Sequence, residues 1–434
     1  MKAKRISALL LAAMMTAGTA LPAMAAEEAV TAPKYIFLFI GDGMSYPQIQ
    51  STNYYLNAME DDGDEILTSE NKLNMMNFPV AGSAQTYDST SFCPDSASTA
   101  TSISTGHKTY SGTINVAEDM ETTYETIAEK LKEQLGYKIG VLSSVNLNHA
   151  TPAAFYAHQA SRSNYYEIGE EMVNSGFDYF AGGGLLSPTG EEGDQKDLYE
   201  LAQEAGYKVV KTQGIEVLDN ENGFFMMVEG GKIDWACHAN DAAASITDTV
   251  ALDEAVGKAV EFYNEHPQET LILVTGDHET GGLSLGFAGT DYDTFLTNLS
   301  NQKISYAKFD SDYVTGYKEN KTDFDTVMTD ITELFGLQAP AAEGAESTNQ
   351  ADSKDEHPES EAEGTLVMTD YEYEKLKAAY EETMSRTGEE EEFSQEEYLL
   401  YGSYEPLTVT ITHILNNKSG ISFSSYAHTG LPVE

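Results

Sequence analysis

Four short strings in this sequence bring carboxylates, imidazoles and a hydroxyl to places where they could do chemistry. Gly41-Asp42-Gly43 follows the apolar run Tyr35 to Ile40. A carboxylate between two glycines at the C-terminal end of a parallel strand lies in the crevice where α/β sheets take ligands, although the same string also suits an ordinary turn. Pro94-Asp95-Ser96-Ala97 opens a small-residue helix that stops at Gly106. There Asp95 reads as an N-cap, while Ser96 would hold its hydroxyl among free N–H groups at the positive helix end, a place that also receives phosphate.

Glu229-Gly-Gly-Lys-Ile-Asp234-Trp-Ala-Cys-His238 follows a further apolar run. Asp234 and His238 stand four apart, so on a helix they share a face, which is a metal-ligand spacing and also a common surface pair. Leu271-Ile-Leu-Val-Thr-Gly-Asp277-His278 puts two titratable groups directly after a strongly apolar strand. Burying them costs several kcal/mol unless each has a partner, and a metal ion would serve both.

These strings need elements to position them. The runs Tyr35 to Ile40, Tyr137 to Val145, Phe177 to Phe180, Phe224 to Val228 and Leu271 to Thr275 lack polar alternation and read as buried parallel strands. Helical patterns such as Thr123 to Leu135 and Ala242 to Phe262 separate them. In the latter, Ile246, Val250, Ala255, Val256, Ala259 and Val260 recur at helical spacing and read as core. The expected fold is an α/β three-layer sandwich, a central, mostly parallel sheet flanked by helices.

Composition narrows the function. The 434 residues carry 71 Asp+Glu against 24 Lys+Arg, a net charge of −47, which excludes a nucleic-acid platform built on a basic patch. A 41% apolar and 10% aromatic content is that of a folded chain. Lys2, Lys4 and Arg5, an apolar run and Ala23-Met24-Ala25 read as an export signal over 1–25, with the mature chain in the periplasm or outside the cell and no later membrane span. Cys93 and Cys237 are too few for a disulfide framework, and their pairing stays open. Between Ala341 and Leu400 stand 19 acids and 4 bases. We read 338–406 as an acidic insertion, first disordered, then helical over Tyr371 to Arg386 and Phe393 to Tyr401, and on the whole a solvated surface excursion.

The strings, taken with His149-Ala-Thr151-Pro152, Arg162 and Ala427-His428-Thr429-Gly430, occur in an order that resembles the alkaline phosphatase family. The resemblance makes 26–337 and 407–434 parts of one core. It implies that Asp234, His238 and His428 hold one zinc ion and that Asp42, Asp277 and His278 hold a second. Asp42, Thr151 and Glu229 would hold a third ion, magnesium. Imidazole with carboxylate suits zinc, and an all-oxygen set suits magnesium. Ser96 would be the nucleophile, forming a phosphoserine that water then hydrolyses, and Arg162 would fork onto two phosphate oxygens. The implied substrates are small phosphate monoesters, and homodimerisation is left open.

Two departures accompany the resemblance. His149 and Trp235 stand beside the phosphate and third-metal positions, where some members carry Asp and Lys, and His149 offers nitrogen where a carboxylate would favour magnesium. The chain also stops shortly after His428, so a family C-terminal strand and helix are expected to be absent. Phosphodiesterase or sulfatase activity and a noncatalytic acidic exported cation-binding protein are the alternatives. A sulfatase needs Cys-x-Pro-x-Arg, whereas Cys93 abuts Pro94, and a diesterase usually has Thr at the nucleophile and lacks the third site. His107, His158, His266, His357 and His413 have no motif support and read as structural or surface.

Overall fold

All five apolar runs become strands: β1 (Tyr35–Gly41), β2 (Lys138–Ser143), β3 (Tyr179–Ala181), β4 (Phe224–Gly230) and β5 (Thr270–Gly276). They pair in parallel in the order β3-β2-β4-β1-β5. In this computed structural model the described residues are 33–60, 69–210, 218, 220–340, 365–386 and 393–434. The export-signal reading of 1–25 and the disordered reading of 341–364 lie outside the described residues.

Both faces of β1 and β4 are covered, as their unbroken apolar runs require, whereas Leu271 and Leu273 of β5 are exposed on one face. Leu38 and Ile40 enter one core and Phe37 and Phe39 the other, as alternation along a strand requires. The first core is closed by α2 (Ser96–Thr105), α3 (Ile127–Leu135), α4 (Ala150–Ala153), α5 (Tyr165–Asn174) and α6 (Leu198–Glu204). The short helix α7 (Lys232–His238) follows β4. The other core takes α1 (Tyr46–Glu60) and α8 (Ala242–Glu265), whose Ile246, Val256 and Ala259 are buried and whose Val250, Ala255 and Val260 are half-buried. The result is a helix–sheet–helix sandwich.

Strand register is what brings the chemistry together. Gly41 lies opposite both Gly230 and Gly276, so β1, β4 and β5 end level. Asp42, Glu229 and Asp277 therefore emerge at one edge of the sheet, at the carboxyl ends where open α/β sheets bind ligands. Beyond that edge, β6 (Glu279–Thr280) and β7 (Ser284–Leu285) each pair with a late segment of the chain.

A further core joins α9 (Phe324–Phe335), α10 (Asp370–Ser385) and α12 (Pro406–Lys418) through Ile331, Phe335, Leu376, Leu407 and Ile411. This corrects the reading of the insertion as a solvated excursion. Leu376, Ala379 and Thr383 form a buried stripe along α10, and the Leu407 N–H donates to Thr383 Oγ1 at 2.9 Å. A stripe of only three residues is enough to dock an otherwise acidic helix. Among the described residues of the insertion, α11 (Gln395–Tyr401), which buries none of its residues, fits the solvated description. After α12, β8 (Ile421–Ser422) pairs with β7, and β9 (His428–Thr429) pairs antiparallel with β6.

Candidate metal centre and nucleophile

Two groups of ligand atoms converge at the sheet edge. In the first, Asp234 Oδ1 lies 3.4 Å from His238 Nε2 and 3.5 Å from His428 Nε2, and the two imidazole nitrogens are 3.0 Å apart. In the second, His278 Nε2 lies 3.2 Å from Asp42 Oδ1, 3.5 Å from Asp277 Oδ2 and 3.2 Å from Ser96 Oγ, which is itself 3.4 Å from Asp42 Oδ1. Ligands about 2.0–2.1 Å from a tetrahedral ion stand about 3.3 Å from one another, and both groups match that spacing. The rings of His278 and His428, one from each group, stack at 3.7 Å.

Backbone chemistry places these side chains. Asp234 and His238 share one face of α7, as their four-residue spacing requires. Gly43, at φ +72°, turns the chain back after β1, and a Cβ there would stand 2.8 Å from Asp234 Cα. Only glycine lets the Asp42 loop approach α7 this closely. His428 arrives on β9, where Thr280 of β6 is its pairing partner.

The histidines are fixed in one tautomer. His238 Nδ1 reaches the Tyr426 carbonyl at 2.6 Å and His428 Nδ1 the Pro94 carbonyl at 2.5 Å. A carbonyl only accepts, so both Nδ1 atoms carry the proton and both Nε2 lone pairs face the carboxylates. Thr280 Oγ1 donates to Asp234 Oδ1 at 2.6 Å and is left to accept from His278 Nδ1 at 3.2 Å. All three imidazoles thus present an unprotonated nitrogen to the cluster, the form a metal ligand needs.

A third cluster is built of oxygen. Asp42 Oδ2 lies 3.5 Å from Thr151 Oγ1, and Glu229, held at Oε2 by the Ser143 hydroxyl, leaves Oε1 buried without a hydrogen-bond partner. Asp42, Glu229, Asp234 and Asp277 are all nearly inaccessible to water. Burial, then repulsion from Asp277, Asp234 and Glu229, holds the Asp42 carboxyl well above the usual range. Burial likewise lifts Glu229 to about 8 and Asp277 to about 7, with the neighbouring carboxylates adding to it. Burial raises Asp234 as well, but the imidazoles of His428, His238 and His278 gathered around it prevail and hold it below the usual range. Such a set is costly without cations, and its donors and its orphaned Oε1 fit metal ions.

Ser96 is the first residue of α2, capped by Asp95, whose side chain accepts from the Ser98 N–H. Asp95 has a second task that its N-cap position does not signal: its Oδ2 accepts from Arg162 Nη1 at 2.9 Å. Burial opposes the Arg162 charge, but Asp95 raises its pKa further. His149 Nε2 lies 3.4 Å from Arg162 Nη2, its Nδ1 is unpartnered, and burial followed by the Arg162 charge lowers the ring to about 4. Trp235 packs edge-on against His149 with ring centroids 5.9 Å apart and is the most exposed residue of the group.

Every residue singled out in the strings is therefore found at this edge. Sequence reading missed Thr99, which donates to Asp277 Oδ2 at 3.0 Å, together with Thr280 and Ser143. Their one signal is adjacency: Thr99 follows Ser96 by three and Thr280 follows His278 by two. The histidines without motif support lie elsewhere. His158 sits between Glu129 and Glu171, His413 bonds Asn240, His107 stacks on Tyr124 and His266 packs on Tyr35. His357 lies outside the described residues. Cys93 is exposed, Cys237 is buried, and both are free thiols.

The chain is similar to known proteins. Residues 33–214 and 207–354 match the family model described as alkaline phosphatase. Alkaline phosphatase 4 of Bacillus subtilis is 28% identical over 58% of this chain and 63% of its own length, and alkaline phosphatase 3 of the same organism is 28% identical over 74% and 76%. The match thus spans under two thirds of the first of these relatives. Among solved structures, the alkaline phosphatase of the Antarctic bacterium TAB5 is 32% identical over 59% of this chain and 82% of its own, with a TM-score of 0.52. A His-to-Asp variant of that enzyme has magnesium bound in a site termed M3. The cold-active enzyme of Shewanella sp., 22% identical, covers 92% of both chains with a TM-score of 0.67 and so shares the fold. The chain belongs to the alkaline phosphatase family.

Proposed function

We propose that this protein hydrolyses phosphate monoesters to an alcohol and inorganic phosphate through a phosphoserine at Ser96. The observation that carries the reading is the set of three imidazoles, each with Nδ1 committed to a fixed acceptor and Nε2 turned onto buried carboxylates next to a serine hydroxyl. Asp234, His238 and His428 would hold one zinc, Asp42, Asp277 and His278 a second, and Asp42, Thr151 and Glu229 a magnesium. Bound there, the ions supply positive charge that favours the ionised Ser96 hydroxyl, the departing alkoxide and the attacking water.

The chain's own groups do the rest. Ser96, at the N-terminus of α2, presents its oxygen to the phosphorus in a field that favours negative charge. Arg162, oriented by Asp95, offers its remaining donors to two phosphate oxygens, and His149 and Trp235 border the same space. Neutral His149, at about 4, adds no competing cation at working pH. No described helix is long and apolar enough to cross a membrane. The basic and apolar first 25 residues support export to the periplasm or the cell exterior.

Metal analysis and turnover of an aryl phosphate test the reading. The intact chain is expected to hold about two zinc ions and to lose activity to a chelator, and Ser96→Ala to lower kcat by about 10³-fold or more. Metal without turnover, with Ser96→Ala indistinguishable from the parent, would refute it.

A further inference from the structure

Glu279 is fully buried beside the ligand clusters, and its carboxylate bonds none of their members. Both its oxygens are saturated. Oε1 accepts from Gln48 Nε2 at 2.8 Å and from the Leu283 N–H at 3.1 Å, and Oε2 accepts from the Gly282 N–H at 3.1 Å and from the Thr429 hydroxyl. The two amides curl back onto it because Gly281 and Gly282 have φ of +87° and +60°, and a Cβ on Gly282 would come within 2.0 Å of Ser424 Oγ. Four donors and no basic group leave a carboxylate that is hydrogen-bonded yet carries no ion pair.

Its position in the β6–β9 ribbon explains what it does. Directly opposed residues of an antiparallel pair project to the same face, and successive residues to opposite faces. Thr280 and His428 are one opposed pair, and both face Asp234. Glu279 and Thr429 are the other, and they bond to each other on the far face. The ribbon is only two pairs long, too short for its backbone to specify register alone. A slip of one residue would turn His428 away from the metal cluster.

We propose that Glu279 is a positioning residue, a register lock that holds His428 in the first zinc site by binding Thr429 behind it. This rests on the metal reading above. Gln48 extends the lock, for it also donates to the Thr280 carbonyl at 3.1 Å and accepts from the Ser45 N–H at 3.0 Å, tying the ribbon to the loop that carries Asp42.

Chelator competition on the zinc-loaded full chain reads the lock directly. In Glu279→Gln the new amide faces two of the four donors, and in Thr429→Val the hydroxyl is gone; each is expected to release one of two zinc ions at about tenfold lower chelator, with the other ion held as in the parent. Thr429→Ser, which keeps the hydroxyl, should behave as the parent, and the double variant should be no weaker than either single one. Zinc retention within twofold of the parent in both single variants, even with a lowered Tm, would overturn the lock, as would additive losses in the double variant. If the parent itself takes up no zinc, the metal reading falls first; if it takes up two and Glu279→Gln keeps both, the positioning role alone falls.

Discussion

Arg162 would grip phosphate poorly if its guanidinium were free to swing, and Asp95 is what stops it. The same carboxylate caps the helix that carries Ser96, so one residue orients both the proposed nucleophile and the proposed anion clamp. The two tasks separate by substitution, because asparagine caps a helix about as well as aspartate but carries no charge. Asp95→Asn should leave Tm nearly unchanged and raise KM for an aryl phosphate about fivefold, given the partial exposure of the pair. Asp95→Ala should show the same KM effect and also cost about 1 kcal/mol of stability, read by denaturant unfolding. A large Tm loss in Asp95→Asn would mean that the Arg162 contact is structural.

Among the elements, α3 and α5 are tied together by a histidine unrelated to the metal cluster. His158 lies 3.5 Å from Glu129 of α3 and 3.5 Å from Glu171 of α5, and its Nε2 is 3.0 Å from the Tyr124 carbonyl. Burial opposes its charge, but the two carboxylates prevail and lift the ring to about 9 from the usual 6.5. The folded state therefore binds this proton more tightly than the unfolded one. The stabilisation is complete below about pH 6.5 and fades as pH rises through about 9. His158→Gln should cost about 1–2 kcal/mol at pH 6 and far less at pH 10, measured by denaturant unfolding at each pH.

At the same scale, all five strands of the central sheet were legible in the sequence because each is an apolar run, including β5, whose Leu271 and Leu273 are exposed. The convergence of the candidate ligand residues was legible only in part: each string is local, but the strand register that gathers them is not. The β6–β9 ribbon was not, since two-residue strands have no periodicity and their pairing spans more than a hundred residues. The docking of α10 was hidden by its acidity, which masks a stripe of three buried residues. Asp95 was legible as a cap and illegible as the partner of Arg162, because that contact is made only in three dimensions.

For the whole molecule, the charge of −47 carries little information about the site. Charges beyond about 8 Å are screened at physiological salt, and among the described acids Asp42, Glu229, Asp234 and Asp277 are the ones clustered as candidate ligands. More telling is how far the chain travels to assemble them. Asp42, Asp277 and His278 meet through the paired strands β1 and β5, whereas His428 reaches Asp234 only after the loop from Gly281 to Ala427 has closed into the two-residue ribbon. The sheet closes a longer loop, from Tyr35 to Thr270, but gains seven residue pairs for it, whereas the ribbon gains only two and so is held closed weakly until the rest is in place. The two proposed zinc sites should therefore come into existence at different times. In stopped-flow refolding with excess zinc, uptake is expected in two phases, with the slower one absent in His428→Ala; a single phase for both ions would show that the ribbon closes as early as the sheet. A short ribbon that looks like a detail of packing thus sets a clock, and a newly folded chain would hold its second zinc before it is able to hold its first.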